Sequence, residues 1–187
     1  MEIELKFLLE PQRVEQFQRL MASSIIDANA FGSKTLQNIY YDTQEQALQQ
    51  LDIGLRTRAT FDDSGLGQCE QTVKLAGKDV GGLHQRPEFN VSLGEGGKDA
   101  FFANLSLFED GIWPAGFDVE RVQASLQQLF ETEFSRQVWV ITSPGGSKIE
   151  CVLDQGQVRA AGRTTPICEI ELELIEGQVA DMFHYAQ

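Results

Sequence analysis

The sequence lacks most of the features that mark secreted, membrane-spanning or disulfide-rich proteins. It contains three cysteines in 187 residues, an odd number, and none of them stands in a CxxC pair. Neither a disulfide framework nor a thiolate zinc site is therefore indicated. No apolar run is long enough to cross a bilayer. Acids at Glu2 and Glu4 are unlike a signal or transit peptide, so we expect a cytoplasmic protein with no membrane contact.

Basic residues are also scarce. The chain has 15 Lys and Arg against 28 Asp and Glu, a formal net charge of −13. Non-specific binding to nucleic acid relies on a basic surface, so nucleic acid is not an expected partner. An acidic protein can still bind a small polyanion if its few cations converge in one place.

Short strand-like segments make up most of the chain. Helices are predicted from Pro11, over about 118–130 with Asp118 as N-cap, and from 178 to the end. Glycine-rich or Asp-Ser-Gly sequences predict turns between strands. With so few helical crossovers, we expect an α+β fold whose sheet is mainly antiparallel. The predicted strands number eight and span 2–9, 37–42, 54–61, 68–76, 84–93, 135–143, 147–154 and 166–175.

Charged residues alternate with apolar ones along these strands. Because side chains two residues apart point to the same side of a strand, each strand has one charged face. The first strand, for example, has Glu2, Glu4 and Lys6 on one face and Ile3 and Leu5 on the other. The other charged faces carry Arg56 and Arg58; Glu70, Thr72 and Lys74; Arg86 and Glu88; Glu150 and Asp154; and Glu169, Glu171 and Glu173.

For any single strand, a charged face is usually the solvated face of an antiparallel sheet. Taken together, however, these faces are unusual, because an arginine doublet suits bidentate phosphate contact and clustered carboxylates suit a hard metal ion. A closed eight-stranded barrel reconciles them, with helices packed on an apolar outside and a charged interior. An interior with both signs of charge predicts a metal–polyphosphate ligand with Mg²⁺ or Mn²⁺.

The first strand also resembles a known family. Glu2-x-Glu4-x-Lys6 is similar to the ExExK signature of the CYTH, or triphosphate tunnel metalloenzyme, superfamily. The resemblance covers essentially all of residues 1–187 as one domain, and the stretch from Lys74 to Glu88 looks most like bacterial inorganic triphosphatases. Further elements follow in the family's order: Leu55-Arg56-Thr57-Arg58, Thr72-Val73-Lys74, Arg86-Pro87-Glu88, Leu153-Asp154 and Glu169-Ile170-Glu171.

The resemblance implies roles for the charged residues. Glu2 or Glu4 would orient the attacking water, and Lys6 would accept a proton if the tunnel depresses its pKa. It also implies a helical CHAD domain after this one, so we expect residues 1–187 to be the first part of a longer protein. The implied triphosphate-binding residues are Lys6, Arg56, Arg58, Lys74, Arg86 and Arg136, and the implied ligands of one or two Mg²⁺ or Mn²⁺ ions are Glu2, Glu4, Glu88, Asp154, Glu169 and Glu171.

The function implied first is hydrolysis of inorganic triphosphate. A class IV adenylyl cyclase stays open as an alternative, because it would need nearly the same phosphate-binding residues. A non-catalytic polyphosphate-binding module is also open, although simple anion binding would need only the cations. Tyr40 and Asp42 are interpreted as packing residues at a strand end, and His84 lacks a ligand-spaced partner.

Overall fold

The structure is a computed structural model that describes residues 2–24, 31–61 and 67–186. Ten strands in this part of the chain form one sheet with antiparallel pairing throughout, which confirms the expected strand-rich fold. Their order across the sheet is β5-β6-β1-β10-β9-β8-β2-β3-β4-β7. The strands are β1 (Glu2–Leu8), β2 (Phe31–Thr43), β3 (Gly54–Phe61), β4 (Gly67–Lys74), β5 (Lys78–Val80), β6 (Leu83–Arg86), β7 (Glu88–Glu95), β8 (Leu126–Thr142), β9 (Lys148–Ala160) and β10 (Arg163–Glu176).

The sheet is open and curled, so the prediction of a closed barrel of eight strands is wrong. The strand predicted over 84–93 divides at Pro87 into β6 and β7, and β5 is an additional strand. β6 pairs with β1, whereas β7 pairs with β4. Proline has no backbone N–H and cannot continue a hydrogen-bonded ladder. β6 and β7 are therefore consecutive in sequence but lie on opposite flanks of the sheet. They do not pair with each other, so the sheet does not close into a ring.

In the described residues three α-helices accompany the sheet: α1 (Val14–Ser24), α2 (Val119–Ala124) and α3 (Val179–Tyr185). α1 continues from a 3-10 turn that begins at Pro11, as predicted. Asp118 is the N-cap of α2, as predicted. Its Oδ1 accepts a hydrogen bond from the Arg121 backbone N–H at an N···O distance of 3.0 Å. None of the described helices has the length and apolar character needed to cross a membrane. The Asp-Ser-Gly turn predicted between β3 and β4 lies outside the described residues.

The helix predicted over 118–130 is wrong beyond Ala124. β8 begins at Leu126 and pairs with β2, where Phe130 lies opposite Tyr40. The helical spacing of Leu126 and Leu129 is therefore overridden by pairing with a neighbouring strand, which a local pattern does not register.

Apolar side chains cover the face of the sheet that carries the helices. One cluster joins α1 and α3 to β1, β9 and β10 through Met21, Met182, Leu5, Leu153 and Leu172. A second cluster packs α2 against β2, β3 and β4, with Val122, Ile39, Leu55 and Val73 among its members. As the alternation predicts, residues of opposite parity are left to the other face, where the charged side chains lie.

Candidate active site

A cavity of about 360 Å³ lies on the charged face of the curled sheet. Among the described residues, its lining includes eight acidic and five basic side chains, a formal excess of three negative charges. The acids are Glu2, Glu4, Glu70, Glu88, Asp154, Glu169, Glu171 and Glu173, and the bases are Lys6, Arg56, Arg58, Lys74 and Arg136. Strand alternation explains this concentration, since β1, β3, β4, β8 and β10 each contribute side chains two residues apart.

Arg86 is the one residue of the expected site that does not line the cavity. Its backbone lies opposite Glu2 in the β1–β6 register, but its Nη1 lies 3.4 Å from Asp52 Oδ1. β6 ends at Arg86, immediately before the break at Pro87. The structure therefore gives Arg86 a carboxylate partner at the end of β6 rather than a place beside the other expected residues.

Three carboxylates from neighbouring strands form one cluster. One oxygen from each of Asp154, Glu169 and Glu171 can be chosen so that all lie within 4.8 Å of one another. Asp154 and Glu169 are register partners on β9 and β10, and the Asp154 side chain is 1% exposed. An all-oxygen, anionic donor set fits a hard divalent cation such as Mg²⁺ or Mn²⁺.

Two cations already pair with this cluster. Arg136 donates from Nε to Asp154 Oδ1 at 2.8 Å and from Nη2 to Asp154 Oδ2 at 2.6 Å. The same Nη2 lies 2.7 Å from Glu171 Oε2. Lys6 Nζ contacts Glu171 and lies 3.3 Å from Glu169 Oε1. Glu171 is thus shared between a lysine and an arginine.

These pairs decide the protonation of Lys6 and Glu171. Burial acts to lower the pKa of Lys6, but Glu171, Glu169 and Glu4 outweigh it and raise the pKa above its usual value. Burial acts to raise the pKa of Glu171, yet Arg136 and Lys6 lower it to about 2. Without a bound metal ion, Lys6 is therefore held as a cation, and its expected role as proton acceptor, which stays a prediction, would need a lower pKa.

A second group surrounds Lys74. Its Nζ donates to Glu2 Oε1 at 2.8 Å and Oε2 at 2.7 Å and lies 3.2 Å from Glu88 Oε2. This pairing joins β4 to β1 and β7 beside the break at Pro87. Burial, with smaller contributions from Glu4 and Glu88, raises the pKa of Glu2 to about 7 against the opposing effect of Lys74. The six expected metal ligands are thus divided between this group, the carboxylate cluster and Glu4.

Among the cations that line the cavity in the described residues, Arg56 and Arg58 have the least neutralisation. Arg58 Nη1 is 4.0 Å from Glu70, and its Nε donates to Asn38 Oδ1 at 2.7 Å. Burial and the neighbouring charges of Arg56 and Arg136 lower the pKa of Arg58 to about 10. The buried Nε of Arg56 has no hydrogen-bond partner among the described residues. Unsatisfied buried donors beside a cavity are the expected sign of an anion-binding position.

Asn38 was not predicted from the sequence as a residue of the site, and Tyr40 was assigned only to packing. Asn38 is fully buried and also donates from Nδ2 to Thr132 Oγ1 at 2.8 Å, so it holds the Arg58 side chain in place. Tyr40 lines the cavity and stacks on Phe130 with ring centroids 4.4 Å apart. Strand parity applied to residues 38 and 40 would have placed both on the charged face.

Asp42 has a structural role, in agreement with its interpretation as a packing residue. It is buried, and its carboxylate accepts hydrogen bonds from the backbone N–H groups of Thr43, Leu48 and Gln49. His84 does not line the cavity, and its Nδ1 lies 3.3 Å from Asp79. Both residues therefore stand apart from the charged cluster.

Comparison with known sequences identifies a protein family and a related protein. The family model of the CYTH domain matches residues 1–187. The chain is 37% identical over 189 residues to a protein of Haemophilus influenzae named inorganic triphosphatase. That alignment takes in 100% of this chain and 48% of the relative. The chain thus spans about half the length of that relative, and the expected CHAD domain stays a prediction.

Solved structures share the fold at low sequence identity. A protein of Hippeastrum, described as a putative adenylyl cyclase with a dominant triphosphatase activity, matches with a TM-score of 0.60 and 19% identity, over 100% of this chain and 85% of that one. The RNA triphosphatase domain of a mimivirus mRNA capping enzyme matches with a TM-score of 0.58 and 11% identity, over 100% and 88%. At these identities the likeness extends to the fold alone.

Proposed function

The chain belongs to the CYTH domain family, and from that premise we propose that it hydrolyses inorganic triphosphate to pyrophosphate and phosphate in the charged cavity. The observation that carries the proposal is the placement of two under-neutralised arginines, Arg56 and Arg58, in the same cavity as the Asp154–Glu169–Glu171 cluster. Such a cavity fits a ligand that combines phosphate oxygens with a divalent cation. The name of the Haemophilus influenzae relative supports triphosphate as the substrate.

The carboxylates are assigned to a cation and the basic residues to phosphate. Asp154, Glu169 and Glu171, with Glu2 and Glu4 from β1 and Glu88 from β7, would hold Mg²⁺ or Mn²⁺. When bound, the cation supplies charge neutralisation at the phosphoryl oxygens and activation of the attacking water. Among the expected phosphate ligands, Arg86 has no direct role in this proposal because it pairs with Asp52.

The protein's own contribution is to orient the substrate and to stabilise charge. Arg56 and Arg58 offer planar N–H donors for bidentate contact with phosphate oxygens. Lys6, Lys74 and Arg136 add positive charge where charge builds up on the transferred phosphoryl group. Glu2 and Glu4 line the same cavity and would orient a water in line with the bond to the leaving pyrophosphate.

Adenylyl cyclase activity is the second candidate. The stacked Tyr40 and Phe130 rings favour it, since an aromatic surface beside the cavity could contact an organic substituent of a triphosphate. In that reaction the ribose 3′-hydroxyl would attack the α-phosphorus, and pyrophosphate would leave. The two reactions need nearly the same phosphate contacts, so products distinguish them and contacts do not.

The test is to incubate the purified chain with Mg²⁺ and, separately, with tripolyphosphate, ATP or thiamine triphosphate. The proposal expects phosphate release fastest from tripolyphosphate, and none in the presence of EDTA. Formation of cyclic AMP from ATP as the dominant reaction would establish the cyclase instead. Binding of tripolyphosphate with no turnover of any of the three substrates would identify a non-catalytic polyphosphate-binding module.

A further inference from the structure

Lys6 and Arg136 are held by the same carboxylates that are assigned to the metal. Arg136 pairs with Asp154 and Glu171, and Lys6 pairs with Glu171 and Glu169. Each of these charged groups is therefore paired with another group of the cavity. A phosphate that approaches Lys6 or Arg136 must therefore compete with a carboxylate, and a cation that approaches the carboxylates must compete with Lys6 and Arg136.

The charge balance makes the competition unequal. The lining residues that the structure describes carry three more formal negative charges than positive ones. A free triphosphate is itself a polyanion, so its entry would increase the excess of negative charge. Each divalent cation reduces this excess by two charges, because it neutralises carboxylates and leaves Lys6 and Arg136 to the phosphate oxygens.

We propose that Glu171 is an exchangeable counter-ion, which pairs with Lys6 and Arg136 before a ligand binds and releases both when a divalent cation binds the Asp154–Glu169–Glu171 cluster. This inference rests on the triphosphatase function proposed above. Its consequence is that the cation and the triphosphate bind cooperatively. Thermodynamic linkage requires the effect to be reciprocal, so each ligand raises the affinity for the other by the same factor.

Glu171 is the residue at which this exchange centres. It is the carboxylate that contacts both Lys6 and Arg136, and its side chain is 13% exposed. Glu173 provides a comparison on the same strand. It lies two residues further along β10 on the same face and lines the same cavity, but it forms no ion pair within the described part of the chain. The two glutamates carry the same charge and differ in their partners.

The first test compares Glu171→Gln with Glu173→Gln by isothermal titration calorimetry. The ligand is an imido analogue of tripolyphosphate, which is not hydrolysed, and the buffer contains EDTA. Glu171→Gln should bind the metal-free analogue more tightly than the wild type by at least about fivefold, the lower end of typical coupling between sites. Glu173→Gln should give a smaller gain, because it removes charge without freeing a cation. Equal gains in both variants would overturn the exchange.

The second test uses Mg²⁺ alone and a variant of the other partner. Lys6→Gln removes a competitor of the cation from Glu171 and Glu169, so its affinity for Mg²⁺ should rise by at least about fivefold. Arg56→Gln is the matched control, because it removes a positive charge from the same cavity without freeing a carboxylate. A Lys6→Gln variant with unchanged or weaker Mg²⁺ binding would contradict the proposal, whether or not Glu171→Gln folds.

The outcomes separate this inference from the proposed function. A wild-type protein that binds the imido analogue neither with nor without Mg²⁺ would refute the triphosphatase function, and the exchange with it. A wild-type protein that binds the analogue with Mg²⁺, beside a Glu171→Gln variant with no gain in metal-free affinity, would refute the exchange alone. Tighter metal-free binding by Glu171→Gln together with weaker Mg²⁺ binding is the result that supports it.

Discussion

Asp154 and Arg136 form a two-point ion pair across adjacent strands, with N···O distances of 2.8 and 2.6 Å. They are register partners on β9 and β8, so the sheet itself holds the two side chains together. The carboxylate is 1% exposed and the guanidinium 15% exposed. Until a cation competes for the carboxylate, a bidentate pair at this depth orients the Arg136 guanidinium.

Removal of the carboxylate should therefore destabilise the fold. Asp154→Ala leaves a buried guanidinium with only Glu171 as its carboxylate partner, and we expect a loss of about 2 kcal/mol in the free energy of unfolding. Urea unfolding measures this value. The control is Glu176→Ala, which breaks the exposed pair with Lys148 and should change stability by about 0.5 kcal/mol or less. Equal effects of the two substitutions would contradict the structural role of Asp154.

Asn38 should affect substrate affinity through Arg58. Its side-chain oxygen accepts the hydrogen bond from Arg58 Nε at 2.7 Å, so Asn38→Ala leaves that guanidinium free to turn away from the cavity. We expect the KM for tripolyphosphate to rise by about tenfold, the equivalent of one hydrogen bond to a charged group. Steady-state kinetics checks this, and Asn38→Asp, which keeps the acceptor, should recover much of the affinity. A fall in kcat with KM unchanged would speak against a positioning role.

Gly156 should tolerate no side chain. A Cβ atom there would lie 2.1 Å from the Glu133 backbone O and 2.4 Å from Phe134 Cβ, so the neighbouring strand would have to move. We expect Gly156→Ala to lower the free energy of unfolding by about 2 kcal/mol, as overpacking does. Gly32→Ala is the control in β2, where an added Cβ meets nothing within 4 Å. Thermal unfolding of both variants checks the difference, and a wild-type melting temperature for Gly156→Ala would be the contrary result.

Glu131 should make stability depend on pH away from the cavity. Hydrogen bonds from Lys98 and Arg159 lower its pKa, so the folded value lies below the unfolded one. Its stabilising contribution is then complete above the unfolded pKa of about 4.3 and is lost as the pH falls through the folded pKa. Compared with Glu131→Gln, the wild type should be more stable at pH 7, and the difference should shrink in acid. Chemical denaturation at a series of pH values measures it.

The first strand shows what could be predicted from the sequence. Its alternation placed Glu2, Glu4 and Lys6 on one face, and the same parity brought the acids and bases of five further strands to the cavity. Parity depends only on the geometry of an extended backbone, which the local sequence determines. Strand parity also predicted Arg86 on the charged face, yet Arg86 lies outside the cavity. Parity gives the face to which a side chain points, and not the position of the strand in the curled sheet.

The features that could not be predicted depend on contacts distant in sequence. Pro87 separates strands on opposite flanks of the sheet only because β6 pairs with β1 and β7 pairs with β4. The loss of helix after Ala124 follows from the pairing of β8 with β2. The raised pKa of Lys6 likewise follows from carboxylates on β10, more than 160 residues away. Register and pairing are thus the missing information.

Phosphate release from tripolyphosphate in the presence of Mg²⁺, compared between the wild type and Arg56→Ala, tests the central claim most directly. The account predicts rapid release by the wild type and a loss of about a hundredfold or more in kcat/KM for Arg56→Ala, since a buried donor to the transferred group is removed. Arg13→Ala, on the exposed 3-10 turn before α1, should behave as the wild type. Hydrolysis by Arg56→Ala at the wild-type rate would show that the charged cavity is not the site of the reaction.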